Sequence, residues 1–486
     1  MQKDGQCLPV NVILNVFAFR YNAIREITPL ESLHKSTASR HLFTDDYKNA
    51  PYWQEDSEEL NIPDYELPKH ADVVIIGSGY TGLHTALQTI AAGRSTVLID
   101  SGEIGHGCST RNGGQISPGI DPSESTLAKT YGLEKARSLR QEGENALSWI
   151  ESFVAQETIE CNFERNGLFH AAHTPTHYDQ MCREIEHLNK TENIEAFAVP
   201  REELRTELGT DTYYGGVVFT KHAAIHATKY HQGLVKKALA AGVTLISQCQ
   251  ATSVIRHTDK SSNQFSITTA KGIIKSRDVM IATNGYTSQL TPWFSRRVIP
   301  IGSYVIATES LPIELVDELF PSRRVVTDSC KVVYYYRTSP DRTRILFGGR
   351  VSANETDPTV SAPRLHEQMV RIFPQLIDSK ISHSWTGTVG YTFDTMPHTG
   401  VHNGLHYAMG YCGSGIAMAS YLGMRSGQKI IGDANGITAF DNLAFPTRPF
   451  YKGNPWFLPA AVTWYAAKDK LESKLAAYSA SRANIT

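Results

Sequence analysis

An apolar run that leads into a glycine-rich turn constrains this chain more than any other feature. Residues 72–76 (DVVII) are typical of a buried strand, and residues 77–82 (GSGYTG) follow with the spacing GxGxxG. Residues 81–92 have a helical pattern that Gly93 is well placed to end, and residues 96–99 (TVLI) are typical of a second strand. The sequence therefore predicts a βαβ unit of about thirty residues.

Each glycine of this turn has a physical task. Gly77 permits the tight turn, Gly79 lets the backbone approach a pyrophosphate, and Gly82 lets the helix pack closely on the strand. The helix N-terminus offers N–H groups and a positive dipole end to phosphates. Asp100 ends the second strand, where its carboxylate can accept a hydrogen bond from a ribose hydroxyl. We predict a dinucleotide site; the alternative is a glycine-rich turn in a generic α/β domain.

A second glycine-rich stretch bears on which dinucleotide is bound, NAD or FAD. Residues 109–115 (STRNGGQ) combine small polar residues with paired glycines, shortly after Asp100. Such residues suit a loop under a pyrophosphate or at the edge of a flavin ring, and Arg111 adds positive charge for phosphates. The alternative is a solvated loop. We interpret this stretch as favouring FAD.

The composition is that of an ordinary globular protein. The 486 residues are 41% hydrophobic and 20% charged, with a formal net charge of −2, so no global field attracts nucleic acid or an anionic membrane. Seven dispersed cysteines without a CxxC pair argue against a disulfide framework and a structural zinc site, and favour a cytoplasmic location. The apolar run at residues 8–19 is too short to span a bilayer and lacks signal-peptide flanks, and we expect no transmembrane segment.

Five motifs in order along the chain resemble those of the FAD-dependent amine and amino-acid oxidoreductases, the D-amino acid oxidase-like family. Residues 105–115 (GHGCSTRNGGQ) are similar to the GxGASGRNGGQ segment of its γ-glutamylputrescine oxidoreductase branch. The others are ATNGYT at residues 282–287, FGGR at 347–350, a WTGxxxxTxDxxPxxG pattern at 385–400 and GYCGSGI at 410–416. The resemblance extends from about residue 50 to residue 465.

The resemblance implies an α/β fold with two interleaved domains. One is a glutathione-reductase-like, FAD-binding Rossmann domain; the other is an α+β substrate domain whose antiparallel sheet covers the flavin. We expect the FAD-binding domain at residues 71–160, 216–290 and 381–435, and the substrate domain at residues 161–215 and 291–380. An N-terminal arm (residues 1–70) and a C-terminal extension (residues 436–486) complete the chain.

The resemblance also assigns residues to FAD, bound without a covalent link because residues 385–390 contain no cysteine. Val254 would meet the adenine through its backbone, and residues 413–416 would begin a helix that points at the pyrimidine end of the flavin. The cofactor-binding residues predicted in full are Gly77, Ser78, Gly79, Tyr80, Thr81, Gly82, Asp100, Ser101, Ser109, Thr110, Arg111, Asn112, Gly113, Gly114, Gln115, Val254, Thr283, Asn284, Gly285, Asp394, Gly413, Ser414, Gly415 and Ile416.

The implied reaction is oxidation of an amine or amino-acid-like substrate, in which a hydride equivalent moves to flavin N5 and the resulting imine hydrolyses. We expect an apolar, aromatic-lined site with few titratable groups, and predict that Tyr304, Tyr335 and Trp385 line it. Arg350 would contact flavin or a substrate carboxylate, and Arg337 is the rival for the carboxylate. The branch favours a γ-glutamylputrescine-like amine with a distal carboxylate.

The electron acceptor is open between oxygen, as in an oxidase, and a quinone or carrier protein, as in a dehydrogenase. A non-enzymatic alternative is a binding module that FAD only stabilises. Two groups of histidines, at 170, 173 and 177 and at 222, 226 and 231, have no carboxylate that completes an HExxH-type motif. We therefore predict no metal site.

Overall fold

The computed structural model describes residues 42–483, apart from residues 192–193, 258–263 and 353. Most of the predicted N-terminal arm, including the apolar run at residues 8–19, lies outside the described residues. The strands are β1 (Phe43–Lys48), β2 (His70–Ile76), β3 (Thr96–Ile99), β4 (Gln115–Ile116), β5 (Leu168–Ala171), β6 (Ala196–Val199), β7 (Gly216–Phe219), β8 (Ala223–Ala224), β9 (Thr244–Ile246), β10 (Ala251–Arg256), β11 (Phe265–Thr269), β12 (Gly272–Ile281), β13 (Ile299–Thr308), β14 (Val325–Asp328), β15 (Tyr334–Thr338), β16 (Ile345–Gly349), β17 (Ile381–Tyr391), β18 (His398–His402) and β19 (Leu405–Met409).

The helices fall between these strands in the order of the chain. They are α1 (Tyr80–Ala91), α2 (Glu124–Tyr131), α3 (Leu133–Gln156), α4 (Pro175–Thr191), α5 (Ala227–Ala240), α6 (Pro292–Ser295), α7 (Ile313–Leu319), α8 (Pro358–Ile372), α9 (Gly415–Ile430) and α10 (Leu458–Ala483). Within the described residues, no helix is both long and apolar enough to cross a membrane.

The first sheet contains the predicted βαβ unit. Its strands run in the order β10-β11-β12-β2-β3-β9, and β19 pairs with the second half of β12. The strands β19, β12, β2, β3 and β9 are parallel. Val73 and Ile75 enter one hydrophobic cluster while Val74 and Ile76 enter another, because successive side chains of a strand point to opposite faces. Both faces of this sheet are therefore covered, as a parallel sheet requires.

The second sheet has the order β1-β17-β13-β16-β15-β14-β5-β7-β6 and is mostly antiparallel. Its membership corrects the predicted boundaries: β7 and β17 belong to it, although residues 216–219 and 381–391 were expected in the FAD-binding domain. β1 also pairs with β17, although its residues were expected in the arm. The boundaries were wrong because an alternating strand pattern does not reveal which partner the strand pairs with.

Helices α1 and α9 pack closely against each other beside the first sheet. A Cβ on Gly423 of α9 would approach the carbonyl oxygen of Thr81 to 2.5 Å, so α9 and α1 touch almost backbone to backbone. The middle of α9 therefore packs against the first turn of α1. Gly93 ends α1 with a φ of +75°, as the sequence predicts.

Candidate active site

A cavity of about 890 Å³ lies where the β2–α1 turn, the loop of residues 106–115, the second sheet and helix α10 meet. Its size is in the upper part of the range for small-molecule and cofactor sites. Its wall includes the first residues of both α1 and α9. Two positive helix ends therefore face one cavity, an arrangement that favours anionic groups there.

The β2–α1 turn depends on its glycines. Gly77 has a φ of +113°, and a Cβ there would lie 2.7 Å from the carbonyl oxygen of Ala282. A Cβ on Gly82 would overlap the carbonyl oxygen of Gly77, and one on Gly79 would lie 2.8 Å from Ser109 Oγ. The turn is therefore closed against its own strand and against the second glycine-rich loop. Only glycine fits at Gly77 and Gly82, where a Cβ would meet backbone atoms, whereas a Cβ at Gly79 would require the Ser109 side chain to shift.

Asp100 holds the turn in place. Its Oδ2 accepts hydrogen bonds from the backbone N–H of Ser78 at 2.8 Å and from Ser78 Oγ at 2.6 Å. Its Oδ1 accepts from the N–H of Gly102 at 3.1 Å. Asp100 and Ser101 also line the cavity, so the carboxylate orders the phosphate-binding turn as well as facing the cofactor space.

Two indoles hold the second glycine-rich loop from outside the cavity. Trp53 Nε1 donates to the carbonyl oxygen of Asn112 at 2.8 Å, and Trp385 Nε1 donates to that of Arg111 at 2.9 Å. Arg111 Nε donates to the carbonyl oxygen of His106 at 2.8 Å. The prediction that Trp385 lines the substrate site is therefore wrong, because its polar atom is committed to the cofactor loop and its ring lies in the core.

Tyr335 fits between two glycines. A Cβ on Gly113 would lie 2.8 Å from Tyr335 Cε2, and a Cβ on Gly348 would overlap the same ring from the neighbouring strand. The Tyr335 hydroxyl lies 2.9 Å from Ser303 Oγ. Burial raises the pKa of Tyr335 to about 12, so the phenol is neutral at physiological pH. Tyr335 lines the cavity.

The predicted cofactor residues divide into those that line the cavity and those that support its wall. The first set is Gly77, Ser78, Gly79, Tyr80, Thr81, Asp100, Ser101, Ser109, Arg111, Asn112, Gly113, Gln115, Thr283, Asn284, Gly413, Gly415 and Ile416. The second set, outside the wall, is Gly82, Thr110, Gly114, Val254, Gly285, Asp394 and Ser414. The two glycine-rich segments and the α9 N-terminus therefore converge, as expected from a single cofactor site.

Val254 and Asp394 depart from their predicted roles for structural reasons. The cavity is lined by residues 249–251, which follow the carboxyl end of β9, whereas Val254 lies along β10. Because β9 is parallel to β3, its end opens at the same edge of the sheet as Asp100. Asp394 faces away and lies within 3.1 Å of His398 Nε2, while Thr395 lines the cavity.

The other residues predicted to be catalytic lie in different places, some on the cavity wall and some outside it. Tyr304 lies outside the cavity wall: its hydroxyl donates to Glu355 Oε2 at 2.9 Å and its ring belongs to the core. Arg350 lines the cavity, but its Nη1 lies 2.9 Å from Glu355 Oε1. Arg337 is buried beneath the cofactor loop, where Nη1 donates to the carbonyl oxygen of Gly114 at 2.9 Å. Arg337 therefore supports the loop and does not reach the cavity.

Several lining residues were missed by the sequence analysis. Lys331 and Arg448 are cations on the cavity wall, and Tyr391 adds an aromatic ring near the α9 N-terminus. Leu458 and Tyr465 of α10 also line the cavity, so the predicted C-terminal extension is part of the site. The only sequence signal was the concentration of aromatic residues from residue 450 onward.

These residues fit FAD. The glycines of the turn leave a space that any Cβ would fill. The two helix N-termini suit the pyrophosphate and the anionic reduced flavin. The elongated wall of the cavity extends to residues 249–251. In the described part of the wall, Asp100 is the only carboxylate and His106 the only histidine. The wall is therefore poor in carboxylates and histidines, but it carries the cations Arg111, Lys331, Arg350 and Arg448.

Comparison with known proteins gives the family. Residues 72–426 match the model of the family described as FAD dependent oxidoreductase (DAO). The γ-glutamylputrescine oxidoreductase of Escherichia coli (strain K12) is 30% identical over 411 residues, which are 82% of this chain and 93% of that protein.

Solved structures share the fold at low identity. Glycine oxidase from Geobacillus kaustophilus has a TM-score of 0.65 and 18% identity, covering 79% of this chain and 99% of that one. L-proline dehydrogenase from P. horikoshii has a TM-score of 0.62 and 18% identity, covering 77% and 96%. The predicted fold class, cofactor and enzyme class are confirmed: this chain belongs to the DAO family of FAD-dependent oxidoreductases that act on C–N donors.

Proposed function

We propose that this enzyme oxidises the C–N bond of an amine that carries a distal carboxylate, and that γ-glutamylputrescine represents the substrate type. The observation that carries the proposal is the pair Lys331 and Arg448 on the wall of the cavity that the cofactor turn also lines. The name of the relative from Escherichia coli supports the same substrate class. Bound FAD supplies the acceptor for the hydride equivalent.

The cavity wall is suited to hold a neutral amine and exclude water. Its aromatic residues include Tyr335, Tyr391, Tyr451, Trp456 and Tyr465. Desolvation raises the pKa of Tyr335 to about 12 and that of Tyr391 further, so neither phenol carries charge near neutral pH. Because the wall has so few carboxylates and histidines, we infer that the substrate ammonium releases its proton to water before it reacts as the neutral amine.

The distal carboxylate is assigned to Lys331 and Arg448 rather than to the arginines expected from the sequence. Arg350 is already paired with Glu355, and Arg337 is committed to the backbone of the cofactor loop. None of the ion pairs between described residues involves Lys331 or Arg448. Arg448 Nη1 donates to the carbonyl oxygen of Thr447 at 3.3 Å and its guanidinium lies 5.3 Å from the centre of the Phe393 ring, but neither contact neutralises its charge. We infer that a ligand carboxylate can pair with both cations, and a hydrogen bond to a charged group contributes about 1.5–3 kcal/mol.

We further propose that FAD is held without a covalent link. Cys108 and Cys412 line the cavity, and burial raises the pKa of Cys108 to about 11 and that of Cys412 to about 12. Both sulfurs are therefore protonated thiols, and the thiolate is the reactive form. Acid precipitation should release all the flavin into the supernatant; yellow colour retained in the washed pellet would contradict this.

Anaerobic mixing with a panel of amines tests the reaction. γ-Glutamylputrescine should bleach the flavin absorption near roughly 450 nm, while glycine, sarcosine and L-proline should bleach it more slowly. A protein that no amine or amino acid reduces would refute the proposal and favour the binding-module alternative. Readmission of oxygen with a peroxide assay then separates an oxidase from a dehydrogenase.

A pair of substrates isolates the role of the cations. N-acetylputrescine keeps the terminal amine and the amide of γ-glutamylputrescine but lacks its α-amino acid group, and therefore both the carboxylate and the α-ammonium. Lys331→Met should lower kcat/KM for γ-glutamylputrescine about 10- to 100-fold and leave N-acetylputrescine unchanged, because only the first substrate loses a charge-assisted bond. Lys236→Met, on the surface of α5, is the matched control. Equal losses with both substrates would contradict the assignment.

A further inference from the structure

A cluster of two histidines and a glutamate lies outside the cavity and has no part in the proposed reaction. His173 lies two residues before the start of α4 and His177 lies in its first turn, both in the substrate domain, and Glu472 belongs to α10. One donor atom from each of the three side chains lies within 4.8 Å of a donor atom from each of the others. The sequence analysis predicted no metal here because Glu472 is almost 300 residues from the histidines.

Two polar atoms of this cluster, one on His173 and one on Glu472, have no hydrogen-bond partner among the described residues, whereas the Nδ1 atoms of His173 and His177 lie 3.1 Å apart. His173 is only 8% exposed. Among the described residues, no hydrogen-bond partner exists for His173 Nε2 or for Glu472 Oε2, although both atoms are fully buried. Glu472 Oε2 lies 3.9 Å from His173 Nε2 and 4.0 Å from His177 Nε2, which is too long for a hydrogen bond. Such unpartnered buried atoms cost free energy unless a ligand satisfies them.

The remaining ring nitrogens are held by a serine. Ser329 Oγ lies 2.7 Å from His173 Nδ1 and 3.0 Å from His177 Nδ1. The serine therefore fixes the orientation of both rings and directs their ε nitrogens toward Glu472, as the outer partners of metal-bound histidines do. Lys468 Nζ lies 3.7 Å from the other glutamate oxygen, Oε1, and leaves Oε2 facing the rings.

The three side chains of the cluster are of the types that bind transition metals. Two neutral imidazoles and one carboxylate form a ligand set that Zn²⁺ and similar divalent transition metals bind. Tetrahedral ligands at the usual zinc distances are about 3.3 Å apart, so these donor atoms, which lie 3.9 Å to at most 4.8 Å apart, would have to approach each other by roughly 0.6 to 1.5 Å to bind one metal.

We propose that His173, His177 and Glu472 form a binding site for a divalent transition metal such as Zn²⁺, with a fourth position open to water. The site bridges the substrate domain and α10. The neighbouring Asp469 on α10 accepts the backbone N–H groups of Lys331 and Val332, each at 2.9 Å. The metal thus fastens α10 where this helix lines the cavity through Leu458 and Tyr465.

Metal titration of the FAD-loaded protein tests the site. The holoenzyme is freed of metals with a chelator, dialysed and titrated with ZnCl₂ by calorimetry, and separately with CoCl₂ while its visible absorption is followed. We expect one Zn²⁺ per chain at micromolar affinity or tighter. Glu472→Gln and His177→Ala should each weaken zinc binding at least 10-fold, whereas His187→Ala, an exposed histidine on the same helix, should bind as the wild type does.

The FAD content of each variant is the control for misfolding, since every correctly folded variant should bind as much FAD as the wild type. Zinc should also raise the Tm of the wild type and leave that of Glu472→Gln unchanged, because a ligand stabilises only the state that binds it. Absence of zinc binding to the wild type would overturn the proposal. Equal binding by the wild type and Glu472→Gln, with full flavin content in both, would overturn it as well. Neither outcome depends on the identity of the amine substrate.

Discussion

The contact between Gly113 and Tyr335 allows one prediction to be worked out in detail. Gly113 belongs to the cofactor loop, and a Cβ at this position would lie 2.8 Å from Tyr335 Cε2. The backbone of Gly113 is outside the positive-φ region, so Gly113→Ala introduces a methyl group without backbone strain. The movement of the ring is limited, because it also packs closely against the backbone of Gly348 on the neighbouring strand. The loop that lines the cavity must therefore move.

Overpacking of this kind costs about 1–3 kcal/mol. Bound FAD requires the original position of the loop, so the free energy of this overpacking should appear as a weaker binding free energy for FAD. Since about 1.4 kcal/mol corresponds to a factor of ten, the Kd for FAD should rise roughly 5- to 150-fold. In a Tyr335→Ala background the methyl group meets no ring, and Gly113→Ala should then change the FAD binding free energy by less than about 0.5 kcal/mol.

The measurement is a titration of apoprotein with FAD, followed by the quenching of flavin fluorescence, for both single variants and the double variant. Gly119→Ala is the matched control, because its Cβ would meet only Ser117 Oγ, at 3.4 Å. An unchanged Kd in Gly113→Ala would refute the reasoning. A loss of equal size with and without the Tyr335 ring would refute it too, since the penalty would then come from elsewhere in the loop.

Two further predictions concern buried polar groups. Trp385→Phe leaves the carbonyl oxygen of Arg111 without its indole donor, which should weaken FAD retention by about 1–3 kcal/mol, measured by the same titration. His84 is buried and its pKa falls to about 3 through desolvation, so only the unfolded chain takes up its proton below the ordinary pKa of 6.5. The free energy of unfolding therefore falls as the pH drops from 6.5 towards 3, by up to ~1.4 kcal/mol per pH unit for this group. In urea unfolding measured across this pH range, His84→Gln should show a shallower decline than the wild type. An identical slope in both proteins would show that His84 does not contribute.

Much of the cofactor site was predictable because its parts are local. Gly77, Gly79 and Asp100 lie within one βαβ unit, and their spacing alone requires a strand, a tight turn and a helix N-terminus at defined positions. The loop of residues 109–115 follows directly, and the structure brings it against the turn through Ser109. Short-range geometry left few other arrangements for these segments.

The substrate side was less predictable because its residues meet through long-range pairing. Tyr304, Trp385 and Arg350 all lie on or beside strands of the second sheet, yet only Arg350 reaches the cavity. The face that a strand side chain occupies depends on the register with its neighbours, and β17 pairs with β13 and with β1, from the segment expected to be an arm.

The sequence by itself determined the nucleotide-binding fold, the preference for FAD and the family. Only the tertiary structure decided which cations face the cavity, that α10 lines it, and that Glu472 meets His173 and His177. The physical reason is the range of the interactions. A backbone turn and a helix dipole arise from neighbouring residues, whereas the availability of a charge depends on partners that folding brings from distant parts of the chain.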